Sequence, residues 1–464
     1  MAVLGIILSL VLLMFMAYRG FSVIFFAPVF AILAAIFSGM AIMPTYTEIF
    51  LPNLANYVKV YFPFFLLGAV FGKVMEESGA AKAIAKAIVQ KLGKKQAMLS
   101  VVLSAAILTY GGVSLFVVAF AVYPFAASIF KEAGIPKRLV PATIALGAFT
   151  FTMDALPGTP QIQNSIPMKF FNTDLYAAPV FGTLGAIMVL IGGIAYLEWR
   201  KRTAQAAGEG YGVDHKNEPE IVEDGNLPNA LLATLPLISV LAVTLILQKL
   251  VFPSWNIASW VTQAPYSIAK TGVVGTMNNW ALMIALLVGI AIAFVINPGR
   301  IKGSAAKAIN AGAIGSLLAV MNTASEVGFG NVIKSLPGFQ TIAHALMGIN
   351  GGGSPLLSEA VTVNTLAGVT GSASGGMSIA LDTFGKSYLE WASRANVDPQ
   401  LLHRVAAMAS GGMDTLPHNG AVITLLGIAG LTHKQSYKDI FAITLLKTGS
   451  VFVLILLQSV LHFV

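Results

Sequence analysis

Apolar runs recur along the whole chain, with charge confined to the short stretches between them. Many of the runs reach the length of about 20 residues that a membrane-crossing helix needs. In hydrocarbon a backbone must satisfy its own N–H and C=O groups, so such a chain folds as a helix bundle or as a closed barrel. The runs are rich in Gly, Ala, Ile and Val and lack the alternation of ten-residue barrel strands, which leaves helices. Asp, Glu, Lys and Arg make up 10% of the 464 residues, against about 25% in soluble domains. That is too little charge to coat an aqueous surface, so soluble enzymes, disordered chains and nucleic-acid binders are excluded together. The net charge of +8 is no nucleic-acid patch, because Lys and Arg lie in the connecting loops, as the positive-inside rule requires. Cysteine is absent, which removes disulfides, thiolate metal sites and cysteine nucleophiles.

Candidate spans fall near 2–18, 22–43, 57–77, 138–170, 177–198, 228–250, 279–297, 308–333, 400–431 and 439–463. The first has no basic n-region or small-residue cleavage site, and reads as a spanning helix rather than a removed signal. Two further apolar stretches, 97–130 and 355–390, are each interrupted by small residues: Thr109 to Ser114 in one and Thr370 to Gly376 in the other. Such clusters break a helix without supplying the charges of a solvated loop, so both stretches read as re-entrant hairpins buried in protein. The polar segment 199–227 reads as a solvated cytoplasmic linker between two halves, 1–198 and 228–464. The Lys/Arg bias places this linker inside and both termini in the periplasm, with Arg394 and Arg404 as misfits.

The halves repeat. Met153-Asp154-Ala155-Leu156-Pro157 returns 260 residues later as Met413-Asp414-Thr415-Leu416-Pro417, and at the same offset Gly111 meets Gly371 and Ser114 meets Ser374. The threading gives the paired elements opposite orientations, the inverted repeat of secondary transporters with a site at mid-membrane. The expected fold is therefore an all-α polytopic membrane protein of inverted repeats, with about ten transmembrane helices, two hairpins and two broken helices.

Each Asp-x-Leu-Pro stands inside an apolar span, and proline breaks the helix there. The broken ends expose carbonyls on one side and N–H groups on the other, a geometry that suits a carboxylate substrate. Gly158 and Thr159 follow the first break, His418 and Asn419 the second. Gly111, Gly112, Ser114, Ser372, Ser374 and Gly375 at the hairpin tips complete the candidate binding set, since glycine lets backbone approach a ligand closely. Asp154 and Asp414 are candidates for carrying a coupling proton, or else N-caps of the following half-helix. His418 is another candidate, with an ordinary pKa near 6.5, and so is Glu326, whose counterpart is Leu66. Glu359 and Asp382 are expected at interfaces, and His215, His344, His403, His433 and His462 in background roles. No P-loop, His-Glu-x-x-His or metal-ligand cluster is present, so neither ATP-driven transport nor catalysis is expected.

The run from Met413 to Gly420, with Ile423-Thr424-Leu425-Leu426 and Gly430 to Asp439, resembles the closing signature of the gluconate permease (GntP) family. The resemblance extends through Asp154 to Thr159 and over the whole chain. It implies proton-coupled uptake of a small hydroxymonocarboxylate, such as gluconate or 3-hydroxybutyrate, across a bacterial inner membrane. It also implies a homodimer in which a mobile domain carrying two hairpins moves against a scaffold, with no cofactor beyond the coupling ion. A sodium-coupled carboxylate symporter, and after it an anion channel, are the alternatives that these residues leave open.

Overall fold

The computed structural model describes residues 2–464 apart from 20, 94–95, 114, 214, 216–217, 219–226, 256–269, 340, 342–344, 346–347, 350–352, 371, 414 and 418. Ser114, Asp414 and His418 of the candidate set therefore lie outside the described residues, as does His344. Among those described, the regular elements are all helical. In the first half they are α1 (Ala2–Tyr18), α2 (Val23–Phe37), α3 (Leu51–Glu77), α4 (Ala80–Leu92), α5 (Ala97–Tyr110) and α6 (Leu115–Glu132). There follow α7 (Val140–Ala148), α8 (Phe151–Asp154), α9 (Ile162–Ser165), α10 (Met168–Phe171) and α11 (Pro179–Ala206). The second half contributes α12 (Ala230–Ile246), α13 (Lys270–Ile296), α14 (Ala305–Ser335), α15 (Leu356–Thr370) and α16 (Ala373–Arg394). It closes with α17 (Pro399–Gly412), α18 (Gly420–Ala429) and α19 (His433–Leu461).

Five described helices are long and apolar enough to cross a membrane: Ile42–Glu77, Pro179–Ala206, Ala230–Ser254, Ala305–Ser335 and His433–Leu461. Other expected spans, among them α1 and α2, are shorter apolar helices. With 14 and 15 residues, α5 and α15 rise about 21–23 Å, short of a hydrocarbon core of about 30 Å. Each stops at its cluster of small residues, and the chain returns as α6 or α16.

The helices sort into two packing groups. In one, α14 lies along α3, with α1, α2, α12 and α13 around them; in the other, α5 to α11 and α15 to α19 pack mainly among themselves. Small residues set the close approaches. A Cβ on Gly312 would lie 2.7 Å from the Val70 Cα across the α14–α3 contact, and one on Gly376 would collide with the Ala367 backbone between the hairpin arms. Without a hydrophobic drive between lipid-bathed helices, such backbone contacts carry much of the association.

The segment expected to be a solvated linker is only partly that. Its first residues extend α11 to Ala206, and the following turn docks on the start of α7. Glu209 receives a two-pronged pair from Arg138 at 2.7 and 2.8 Å, and Lys137 bonds Glu218 at 2.8 Å. Arg138 also donates to the buried Asp439 of α19, which accepts from Arg200 and Tyr196 as well. Arg200, Glu209 and Glu218 thus pair with partners distant in sequence, while Lys201 pairs with Glu198 one turn back. Hydrogen bonds from Arg138 hold Glu209 below the usual carboxylate range, against the opposing effect of burial. A depressed carboxylate contributes stability above its unfolded pKa and loses it as pH falls through the folded value. The turn at 208–213 is accordingly expected to stay docked at neutral pH and to release only in acid below about 4. Amide exchange measured against pH checks this, and Arg138→Gln should release the same turn at pH 7.

Packing at the glycines gives a second prediction. Gly376→Leu should destabilise the protein by about 1–3 kcal/mol, because backbone stands where its Cβ would go. Gly449→Ala, in open space on α19, should be neutral or stabilise by up to about 1 kcal/mol. Thermal unfolding in detergent compares the two.

Candidate functional site

The first broken helix fragments more than one proline requires. It ends once at Ala148, makes the single turn α8, and runs irregularly to Gln161. The carbonyls released at the end of α7 are taken up one by one. Thr150 Oγ1 donates to Leu146 O at 2.6 Å, Thr152 Oγ1 to Gly147 O at 2.5 Å, and Lys447 Nζ of α19 to Phe149 O at 2.8 Å. Beyond α8, Thr159 Oγ1 donates to Thr152 O at 2.7 Å. Gly158 takes φ +81°, and the Tyr176 ring occupies the place of its Cβ, so only glycine fits.

The first hairpin tip closes on this segment. Tyr110 Oη donates to Pro157 O at 2.8 Å, and Gln161 Nε2 to Thr109 O at 2.7 Å. Gly112, with φ +95°, faces Pro160, while Gly111 packs on Leu237 of α12. Gly112, Gly158, Thr159 and Asp154 therefore come together around one break. Beside them opens a cavity of about 350 Å³ lined by Tyr110, Gly111, Thr152 and Leu156 with apolar residues of α12.

Asp154 closes α8 and does not N-cap the next helix. Its carboxylate packs against Gly411 of α17, where a Cβ would collide with it. Around it stands the interaction that sequence reading missed. Arg404, fully buried in α17, donates to Ala177 O at 2.7 and 3.1 Å, to Asp154 O and Leu175 O at 3.2 Å each, and to Asn164 Oδ1 at 2.8 Å. Its neighbour His403 is equally buried, 2.6 Å from Thr173 Oγ1 and 3.0 Å from Asn164 Oδ1. Arg404 is thus no topological misfit and His403 no helix-end background residue: both fasten the first break to the second half. The signal was present in the sequence, since a charge inside an apolar helix needs a partner.

The second hairpin tip builds a separate cluster. Ser372 caps α16, its Oγ accepting from Gly375 N at 3.2 Å, with Ser374 Oγ 3.5 Å away. Glu326 of α14 reaches this cap, and a Cβ on Gly375 would stand 2.5 Å from its Oε2. Tyr57 of α3 stands near Glu326, Ser374 and Ser378. Tyr57, Glu326, Ser374 and Ser378 are all buried, yet Tyr57 Oη, Glu326 Oε2 and Ser378 Oγ have no hydrogen-bond partner among the described residues. Glu359, expected at an interface, is fully buried at the start of α15. Asn419 caps α18, its Oδ1 accepting from Ala421 N and Val422 N at 2.7 and 3.2 Å. The second break touches the second hairpin through Met413 and Leu416 against Gly368. No group of three His, Cys, Asp or Glu able to hold a metal occurs among the described residues.

Apolar helices long enough to cross a membrane, with two hairpins of shorter arms and interrupted helices beside them, mark a multi-pass membrane protein. Comparison with known proteins narrows the class. The family model described as GntP family permease matches residues 1–461, and the chain belongs to that family. It is 50% identical over 465 residues to the uncharacterized transporter YxjC of Bacillus subtilis (strain 168), covering 98% of both chains. Its fold is similar to the crystal structure of the Alcanivorax borkumensis YdaH transporter, which has an unusual topology. That match has a TM-score of 0.55 at 12% identity over 88% of each chain.

Removing the Arg404 guanidinium takes the donor from the carbonyls of Asp154 and Ala177, while Leu175 O keeps Gly158 N and Asn164 Nδ2, and Asn164 Oδ1 keeps His403. At about 1–3 kcal/mol for each buried group left unsatisfied, Arg404→Gln is expected to cost about 2 kcal/mol or more. Chemical or thermal unfolding in detergent measures it, with Arg394→Gln, on an exposed helix end, as the comparison.

Proposed function

We propose that this permease takes up a small hydroxymonocarboxylate, of the gluconate or 3-hydroxybutyrate kind, driven by protons across a bacterial inner membrane. The observation that carries the coupling is the seat of Glu326. Its carboxylate is buried against the Gly375 backbone of a hairpin tip, and one oxygen has no donor among the described residues. A carboxylate so placed needs a cation or a proton, and binding a proton there changes the charge of the tip that meets the substrate. Asp154 is the weaker candidate because the buried guanidinium of Arg404 lies close by as a charge partner. Asp414 and His418 stay candidates from the sequence.

The substrate carboxylate would be held by the tips and breaks, through Gly111, Gly112, Ser114, Ser372, Ser374 and Gly375 with Gly158, Thr159, His418 and Asn419. Support for two repeats comes from element order: α5, α6, α7 and α11, shifted by 260, overlap α15, α16, α17 and α19. Alternating access would be elevator-like, the hairpin-bearing group sliding along the group built on α3 and α14. The working unit would be a homodimer with its termini in the periplasm.

Uptake into proteoliposomes under an imposed pH or sodium gradient, with radiolabelled 3-hydroxybutyrate and gluconate, tests this reading. One of the two should accumulate with the pH gradient and without sodium, and Glu326→Gln should abolish accumulation while keeping counterflow exchange. Accumulation driven by sodium alone, or unimpaired accumulation by the variant, overturns it.

A further inference from the structure

Lys447 is a buried cation to which the proposed function assigns no task. It sits near the middle of α19, a 29-residue helix, with its side chain buried. Its Nζ is 2.8 Å from Phe149 O at the end of the nine-residue half-helix α7. A charge at that depth costs about 2.5–3.5 kcal/mol on insertion scales, so it answers some local need. The need is visible in the backbone. The end of a helix carries the negative pole of its dipole and up to four unbonded carbonyls. Here the Thr150 and Thr152 hydroxyls serve two of them, and the ammonium serves the carbonyl at the break itself. Half-helix carbonyl ends of this kind are where discontinuous-helix transporters coordinate a coupling cation. The residue 260 positions earlier, Ile187, carries no charge, so the lysine is a device of the second half alone.

We propose that Lys447 is a tethered substitute for a metal cation. Its ammonium fills the carbonyl end of α7, where an alkali-metal ion would otherwise bind, and so makes the protein indifferent to sodium. This deepens the proton-coupled reading but rests on it only where transport is measured, so the primary test needs no substrate. Wild type, Lys447→Met, Lys447→Ala and Lys447→Arg are purified in sodium chloride and exchanged into equal concentrations of sodium or choline chloride. Thermal unfolding is then followed. Wild type and Lys447→Arg should unfold at the same temperature in both salts. The two neutral variants should unfold about 2 °C or more higher in sodium, because the vacated carbonyl end now binds the ion. Equal midpoints for the neutral variants overturn the proposal, as does sodium stabilisation of wild type or of Lys447→Arg. Failure of both neutral variants to fold in sodium also overturns it, since the ion should refill the vacancy. In proteoliposomes the neutral variants should depend on sodium for exchange, whereas wild type does not. A protein that shows the unfolding pattern without proton-driven uptake would keep this inference and lose the coupling reading.

Discussion

A helix broken inside a membrane leaves main-chain groups that water cannot reach, and each has to find a partner within the protein. In this permease the heaviest part of that demand falls on Arg404. One guanidinium ties Asp154, Leu175 and Ala177 through their carbonyls and Asn164 through its amide. Asn164 in turn donates to Thr159 O and Leu175 O at 2.9 Å each. The interrupted stretch from Thr150 to Ala178 therefore keeps the carbonyls of Asp154, Thr159, Leu175 and Ala177 bonded while departing from a continuous helix. Once it is held, Tyr110 and Gln161 can dock the first hairpin tip on it. With its five hydrogen bonds directed to the protein, the guanidinium serves the scaffold of the site rather than a substrate.

Much of the architecture was legible in the sequence because it rests on patterns that backbone chemistry enforces. Small residues at Thr109–Ser114 and Thr370–Gly376 mark the hairpin breaks, and the duplicated Asp-x-Leu-Pro marks the broken helices. Both signals are local, since glycine and proline change what the chain can do where they stand. The second end of the first broken helix, at Phe149, was not legible. No proline or glycine stands at Ala148–Thr150; the break there is stabilised by Thr150, Thr152 and a lysine almost 300 residues away. The docked linker escaped for the same reason. Mixed charges read as solvated until Arg138, Lys137 and Asp439 are brought to them by the fold.

Three buried charges share a property. Arg404 and Lys447 both lie in the second half, at positions whose counterparts 260 residues earlier are Ile144 and Ile187; Glu326 likewise corresponds to Leu66. Helices thus recur in like order at this offset, but these three charges come from one side. A charge in an apolar helix looks like a topology error when its own segment is read alone. It makes sense only as the partner of a break in the other half, as Arg404 is to Asp154 and Lys447 to Phe149.

That one-sidedness bears on coupling. Arg404 stands beside Asp154, and Lys447 sits on a dipole end of the negative sign, so each buried cation meets a compensating charge in the group of helices proposed to move. Moved as proposed, such a group would cross the low-dielectric membrane with little net charge contributed by these residues, which would keep the cost of translocation down. Glu326 is different. It projects from α14, in the other packing group, onto a hairpin tip of the group proposed to move, with Ser372 and Tyr57 as uncharged neighbours. Under the proposed function its charge would change at the boundary between the two groups. Under the proposed mechanism the energetic penalty of sliding the tip past an ionised, donor-poor carboxylate is what obliges a proton to bind before the tip can leave.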